Sequence, residues 1–480
     1  MISSYDFLAF HATERPSGIA LIVDGRAITY AEFRRDVAAL TGAVREFQLT
    51  PGSLVTVGCD DFYAHWLLLL AFERLGIATA SLASNEGADC APLLESSDLV
   101  ISGSGFPVGT PKRHHALSAA WLDRALAGEE DGGPFWEGTE ASPVRLVRTS
   151  GTTGEPKRLI FSRRTHDSRA ANWAWCSGLT RRSRYLLTQS LKVASAHIHA
   201  TASIRVGATL VVESRVGAIQ ALSDHGITHM AFLPGWLRQI LQDLPIDFAK
   251  PRELFIASFG SALPPALRRE ALERLATEII EFYGSNEVGF VFSARGDGEP
   301  GVGAIWPGVQ VEIVDEDGRI LPMGVGGTIR VRTDAMVDGY VGDPGATARM
   351  FSDGWFYPGD TGRMPGRDQL EVIARDDDLL NIGGNKVSPL QFEEMILRAT
   401  DVTDAAVFSA REASGVEELW VAVVGGRTSD AELLTLITRA LNRRGTVGRF
   451  HVVRLPSIPR TPTGKIQRSL LRQRASEGTQ

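Results

Sequence analysis

Cysteine is scarce: Cys59, Cys90 and Cys176 are the three in 480 residues, at no close spacing. That excludes a disulfide framework and a zinc pattern. It fits a reducing compartment, so a cytoplasmic location is expected. Positive charge is not in excess. The net charge is −7, which argues against a nucleic-acid binder. Long apolar runs are missing too. The longest, Trp66 to Phe72, is far short of the roughly 20 residues needed to cross a bilayer. No stable membrane insertion is expected. MISSYDFLAF at the N-terminus has no basic region ahead of an apolar run, so it does not read as a signal peptide. Repeats and low-complexity tracts are lacking, and nothing in the sequence speaks to oligomeric state. What remains, 44% hydrophobic and 22% charged, is the composition of an ordinary soluble globular enzyme. A chain of 480 residues needs two to four subdomains rather than one core.

The pattern alternates strand and helix. IALIV (19–23), a turn at Asp24-Gly25, and AITY (27–30) read as a hairpin. Thr29 can cap a helix from about Ala31 to Phe47, with Phe33, Val37, Leu40 and Val44 at helical spacing. SLVTVGC (53–59) is a buried-type strand, AHWLLLLAFERLG (64–76) a buried helix ended by Gly76, and ATASL the next strand. Such alternation predicts an α/β sheet. Further on, RLIFS (158–162) is a strand before a helix from about Arg164 to Ser177. Residues 227–241 read as a strand, a Pro-Gly break and an amphipathic helix. Residues 303–345 read as all-β, and the last hundred residues as a small α+β unit.

Four stretches carry chemistry. Thr149 to Lys157 reads TSGTTGEPK. Gly151 and Gly154 free the backbone, Ser150, Thr152 and Thr153 supply hydroxyls, and Lys157 supplies a cation, which together make a cradle for phosphate. It is not the common P-loop, because only two residues separate the glycines and Glu155-Pro156 precede the lysine. FYGSNEV (282–288) follows the apolar strand EIIEF. A tight Tyr-Gly turn there would put Tyr283, able to stack on a purine, and Glu287, able to hold Mg²⁺, on one exposed loop. In GWFYPGD (354–360), Asp360 suits a ribose diol, since its two oxygens can accept both hydroxyl protons. Arg375, after the strand QLEVIA, could bind ribose or phosphate oxygens. His197 and His199, at i and i+2, share no helical face and read as packed or solvated rather than catalytic.

The first stretch matches throughout the signature loop of the adenylate-forming superfamily, Ser/Thr-Ser-Gly-Ser/Thr-Thr-Gly-x-Pro-Lys, and the chain resembles its acyl-CoA and aryl-CoA synthetases along almost its whole length. Tyr283-Gly284-Ser285-Asn286-Glu287 resembles the family's Tyr-Gly-x-Thr-Glu, with Asn286 for threonine. Gly260-Ser261 begins a stretch like the loop that lies along the adenine and the acyl group. Pro358-Gly359-Asp360 stands for Thr-Gly-Asp. Gly383-Gly384 opens a stretch like the Gly-Gly-Glu-Asn loop, with Asn385 and Lys386 departing. Thr463-Gly464-Lys465-Ile466 closes the set.

The resemblance implies a fold and a reaction. The fold is α/β: a large domain of α/β subdomains with a small β-barrel-like part over 1–376, and a small mobile α+β domain over 377–480, hinged at Asp377. The reaction is ATP-dependent activation of a carboxylic acid to an acyl-adenylate, with release of pyrophosphate, then transfer to a thiol. Lys465 would be the catalytic lysine, with Glu287 and Thr152 at Mg²⁺ and Gly383-Gly384 at the incoming thiol. Coenzyme A is the expected acceptor. The alternative acceptor is the phosphopantetheine arm of a separate carrier protein. The usual Pro-x-x-His is here Ser190-Leu191-Lys192-Val193, followed by the small residues Ala194, Ser195 and Ala196 beside the implied acyl pocket. No aspartate between 190 and 203 could hold a substrate amine, so an aryl or fatty acid is expected rather than an α-amino acid. A nucleotide-binding relic without activity is the rival class, and Lys465, Glu287 and Asp360 argue against it.

Overall fold

The computed structural model describes residues 2–84, 90–107, 111–133, 138–149, 157–213, 217–296, 301–375, 380–382, 385–387, 389–411, 417–442, 450–460 and 466–477. The N-terminal hairpin forms as expected, Ile19–Val23 pairing antiparallel with Arg26–Thr29. Asp24 and Gly25 turn between them at φ 47° and 80°. Two positive φ values give a turn whose twist matches the strands, and Asp-Gly tolerates it. Thr29 then caps the helix Tyr30–Val44. Its hydroxyl accepts from the Glu32 N–H at 3.2 Å, and the Glu32 carboxylate accepts from the Thr29 N–H at 2.8 Å.

Two sheets share the largest core. The first has six strands in the order His114–Ala116, Leu99–Ser102, Leu54–Gly58, Ala78–Leu82, Pro143–Thr149 and Lys157–Ser162. All neighbours run parallel except the last pair. The second sheet has 15 strands. Its parallel part includes Phe255–Phe259 beside Glu278–Ser285. Antiparallel strands from Gly289–Arg295 to Gln369–Arg375 continue it. Val55 and Ile101 of the first sheet meet Leu210 and Ile280 of the second in one apolar cluster, with Trp66 and Trp173 from helices. The helix Phe62–Arg74 sits in that cluster with 12 of its 13 residues buried, which is why it is apolar nearly all round. Its Glu73 is compensated by Arg163 Nη1 at 2.7 Å and the Ser4 N–H at 3.0 Å.

Residues 389–477 build a core of their own. The strands Asp404–Arg411, Glu417–Val424 and Phe450–Arg454 form a three-stranded sheet. Alternation splits its faces. Val407 and Val421 pack with Ile396 and Leu433 on one side, and Phe408 and Ala422 with Leu471 on the other. Asp404 accepts both contacts of Arg460 Nη2 at 2.9 Å and lies 3.8 Å from Arg238 of the helix Pro234–Asp243.

Two local expectations change. No tight turn occurs at Tyr283-Gly284. The strand Glu278–Ser285 runs through both residues, with a register shift between them against Gly289–Arg295. A side chain at Gly284 would collide with the Gly289 carbonyl, so the glycine allows the close approach rather than a turn. Pro234-Gly235 does not break the chain either. Pro234 starts a helix at the position where its missing N–H costs nothing.

Candidate active site

The two strands flanking the phosphate-cradle sequence pair antiparallel, with Thr149 opposite Lys157. Residues 150–156, and with them Ser150, Gly151, Thr152, Thr153 and Gly154, lie outside the described residues, as do Asp377, Gly383, Gly384 and Lys465. Lys157 Nζ stands 4.5 Å from the centroid of the Tyr340 ring. Tyr340 is fixed by main-chain contacts: it bridges Leu159, and the Val341 N–H donates to the Arg158 carbonyl at 2.8 Å. Its hydroxyl donates to Glu287 Oε1 at 2.9 Å. Glu287 is held in turn. Its N–H donates to Ser285 Oγ at 3.2 Å, and its carbonyl accepts from the Val337 N–H at 2.9 Å. Burial, and then the Glu287 charge, push the Tyr340 phenol well above its usual range, so it stays a donor.

A second group stands on the adjoining antiparallel strands. Asp360 begins the strand Asp360–Gly366 and pairs with Arg375 across the ladder. The Tyr283 hydroxyl donates to Asp360 Oδ2, and Arg375 Nε lies 3.8 Å from Oδ1. Burial and the Asp360 charge raise the Tyr283 phenol far above its ordinary value, with Arg375 opposing. The Arg375 charge also reaches Tyr340, which ties the two groups together electrostatically. The Tyr283 ring stacks one face on Phe292, centroids 5.1 Å apart. Phe259 and Phe282 lie opposite each other on parallel strands. Gly260 and Tyr283 therefore stand side by side where the parallel pairing ends, Gly260 leaving its strand and Tyr283 continuing in the antiparallel pairing with Phe292, at the carboxyl edge where open α/β sheets take ligands. Gly260, at φ 89°, turns the chain there, and Ser261 is exposed.

The residues expected at the acyl pocket form the first turn of the helix Ala194–Val206. Ala196 is wholly buried in the shared core, while Ser195 is half-buried and its hydroxyl donates to Gln189 Oε1 at 3.2 Å. His197 and His199 are packed, as expected. His197 Nδ1 lies 3.2 Å from His166 Nε2, and His199 Nδ1 lies 2.8 Å from the Tyr185 hydroxyl.

Sequence reading gave no role to Tyr340 or Arg169. Arg169, buried in the helix Arg163–Cys176, donates from Nε and Nη2 to the Ala335 carbonyl at 3.1 and 2.9 Å. Burial lowers its pKa to about 9, with the Glu287 charge opposing. No periodicity marks it, because this helix buries both arginines and apolar residues.

The donor set fits a magnesium nucleotide. Glu287 offers hard carboxylate oxygen, Lys157 a cation at the exit of a hydroxyl-rich loop, and Asp360 with Arg375 an acceptor and a donor side by side.

A protein-family model described as AMP-binding enzyme matches residues 8–341. The chain is 27% identical to a fatty acid–[acyl-carrier-protein] ligase, ScoC, of Streptomyces coeruleorubidus, over 97% of this chain and 95% of that one. It is 29% identical to a sulfoacetate–CoA ligase of Cupriavidus necator, with 92% of each covered. Among solved structures, ATP-bound MatB from Rhodopseudomonas palustris superposes with a TM-score of 0.87 at 21% identity, covering 99% of this chain and all of that one. At that identity the likeness shows the shared fold.

Proposed function

The chain belongs to the AMP-binding enzyme family, and from that premise we propose that it is an AMP-forming acid–thiol ligase. A carboxylate oxygen of the acid attacks the α-phosphorus of ATP and pyrophosphate leaves. The sulfur of a thiol then attacks the acyl carbon and AMP leaves. The observation that carries this reading is the convergence of Lys157, Tyr340 and Glu287 with Tyr283, Asp360 and Arg375, drawn from separate sequence motifs.

A carboxylate is a poor electrophile, and it repels the phosphate it must reach. Catalysis is therefore positioning and charge stabilisation. Asp360 accepts from the ribose diol, and Arg375 holds it from the other side. Gly260 and Ser261 line the adenine with Tyr283, Gly284, Ser285 and Asn286. The loop from Thr149 to Lys157 wraps the β- and γ-phosphates. Glu287 and Thr152 hold Mg²⁺, which when bound neutralises phosphate charge. Tyr340 aims the Glu287 carboxylate and shares Lys157 with the phosphates. Lys465 offsets charge building at the α-phosphate. The large domain is 1–376, the small one 377–480, and rotation at Asp377 exchanges Lys465 for the loop at Gly383-Gly384.

Coenzyme A is the proposed acceptor and a cytoplasmic location the proposed compartment. A separate carrier protein is the second reading. It is favoured by the full-length likeness to an acyl-carrier-protein ligase and by Asn385 and Lys386 after the glycine pair. Acid-dependent ATP–pyrophosphate exchange over aryl, fatty and amino acids tests the first step. Thioester formation with coenzyme A or a carrier protein then tests the acceptor. No exchange with any acid would leave a nucleotide-binding relic.

A further inference from the structure

Residues 389–477 pack around a core of their own, and among the described residues one ion pair joins them to the rest of the chain. Arg238 Nη1, on the helix Pro234–Asp243, lies 3.8 Å from Asp404 Oδ1. The large sheet decides where Arg238 stands. The strand His229–Phe232 runs parallel to Phe255–Phe259, with Phe232 opposite Ser258. Both strands therefore end at one carboxyl edge, the edge that bears Gly260. The helix Pro234–Asp243 starts there, and its Leu237 and Leu241 pack with Met230 and Ile256. Arg238 lies about one turn along that helix, with 33% of its side chain exposed.

The small sheet decides where Asp404 stands. It opens the strand Asp404–Arg411. Each of its oxygens accepts from Arg460 Nη2 at 2.9 Å, and Oδ1 also accepts from the Ala405 N–H at 3.0 Å. Arg460 closes the neck of a chain segment. It bridges antiparallel to Ile466, and the Gln467 N–H donates to the Pro459 carbonyl at 2.9 Å. Residues 461–465 join the two sides of that neck, and Lys465 is bonded directly to Ile466. One carboxylate thus ties the neck of the Lys465 segment to a helix that starts at the nucleotide edge.

We propose that Arg238 and Asp404 are positioning residues for adenylation: their ion pair seats the neck of the Lys465 segment at the carboxyl edge and is released before the thiol step. The two arginines on Asp404 have different parts. Arg460 belongs to the same small domain as Asp404, so that bond survives any turn of the domain. Arg238 belongs to the large domain, so its contact is lost when the small domain turns. It is also the weaker contact, longer and between partly exposed side chains. A pair of that kind shifts an equilibrium by no more than about fivefold. Weakness suits the task, because a tight contact would hold the small domain in place after the adenylate has formed and slow the second step. This inference rests on the reading above, in which Lys465 serves the first half-reaction and withdraws for the second.

Pyrophosphate exchange with benzoate, cinnamate and octanoate reads the first half-reaction. Release of AMP from the corresponding acyl-adenylate, on adding coenzyme A or pantetheine, reads the second. Arg238→Ala should slow exchange about two- to fivefold at low salt and leave AMP release unchanged or faster. Arg238→Lys keeps a cation and should restore part of the exchange rate. Added salt screens an exposed pair, so it should narrow the gap between wild type and Arg238→Ala. Asp404→Asn should also slow exchange, and adding Arg238→Ala to it should bring no further loss, because the pair is already gone. Thermal unfolding reports whether each variant is folded. Should Asp404→Asn not fold, Arg238→Ala carries the test, since alanine suits a partly exposed helix position. Equal slowing of both half-reactions, or exchange by Arg238→Ala as fast as wild type at low salt, overturns this inference and leaves the ligase reading standing. No exchange by the wild-type chain with any acid overturns both.

Discussion

Tyr340→Phe removes one hydroxyl and leaves the ring. The lost bond is Oη to Glu287 Oε1 at 2.9 Å. A hydrogen bond to a charged group contributes about 1.5–3 kcal/mol. Glu287 is half-buried, so water can replace part of the donor, and the lower end applies. The expected loss is about 1.5 kcal/mol in transition-state stabilisation, roughly tenfold in kcat/KM for MgATP. Lys157 keeps its seat over the ring at 4.5 Å in this variant. Tyr340→Leu removes the hydroxyl and the ring together. The lost cation–π contact adds about 0.5–1 kcal/mol, roughly threefold more. Pyrophosphate exchange at saturating acid, with MgATP titrated, reads both variants. The phenol is raised far above neutrality by burial and by Glu287, so the difference should hold across the neutral pH range. Equal values for wild type and Tyr340→Phe, with loss only in Tyr340→Leu, would make Tyr340 a packing residue. Glu287 would then be held through its main chain by Ser285 and Val337.

Lys465→Ala should raise the adenylation barrier by about 2.7–4 kcal/mol, if the lysine acts like one oxyanion donor; unchanged exchange rates refute that role. Asp377→Pro should slow thioester formation more than pyrophosphate exchange, and equal loss of both steps would defeat the hinge. Arg163→Met takes the paired cation from Glu73 and leaves it the Ser4 N–H, at a site where both side chains are under 5% exposed. It should destabilise by about 3–5 kcal/mol, and pairing it with Glu73→Leu should recover most of that; single variants that melt like wild type contradict it. His65, His166 and His199 are lowered by burial to about 3, 4 and 3. Their folded values lie below the unfolded one near 6.5, so the unfolded chain binds protons first as pH falls. Stability should therefore drop between pH 6.5 and about 4, by about 1.4 kcal/mol per pH unit per histidine at most. Urea midpoints that stay flat from pH 7 to pH 5 would show that these rings are not held neutral.

Much of the local structure was legible because it is decided by neighbours in the chain. Asp24-Gly25 fixes the hairpin turn and Thr29 with Glu32 fixes a helix start. The run from Phe62 to Arg74 is apolar nearly all round because it serves a core shared by two sheets. The same locality made Lys157, Glu287 and Asp360 candidates, since each sits in a motif of suitable chemistry. Where the strand Glu278–Ser285 ends was not legible. A Tyr-Gly pair signals a turn, yet the partner strand holds it extended, because Gly284 admits the Gly289 carbonyl.

The sequence by itself determined the residue types that could hold a nucleotide and the order in which they occur. It could not say which of them touch. Tyr340 links Lys157 to Glu287 across 130 and more positions because a bridge to Leu159 lays it on the strand that leaves the phosphate loop. His199 looked like packing and is packed. Only the fold shows that its Nδ1 meets the Tyr185 hydroxyl while its buried Nε2 has no partner among the described residues. Hydrogen-bond complementarity between distant side chains depends on where sheets and helices are laid against one another. No spacing along the chain encodes it.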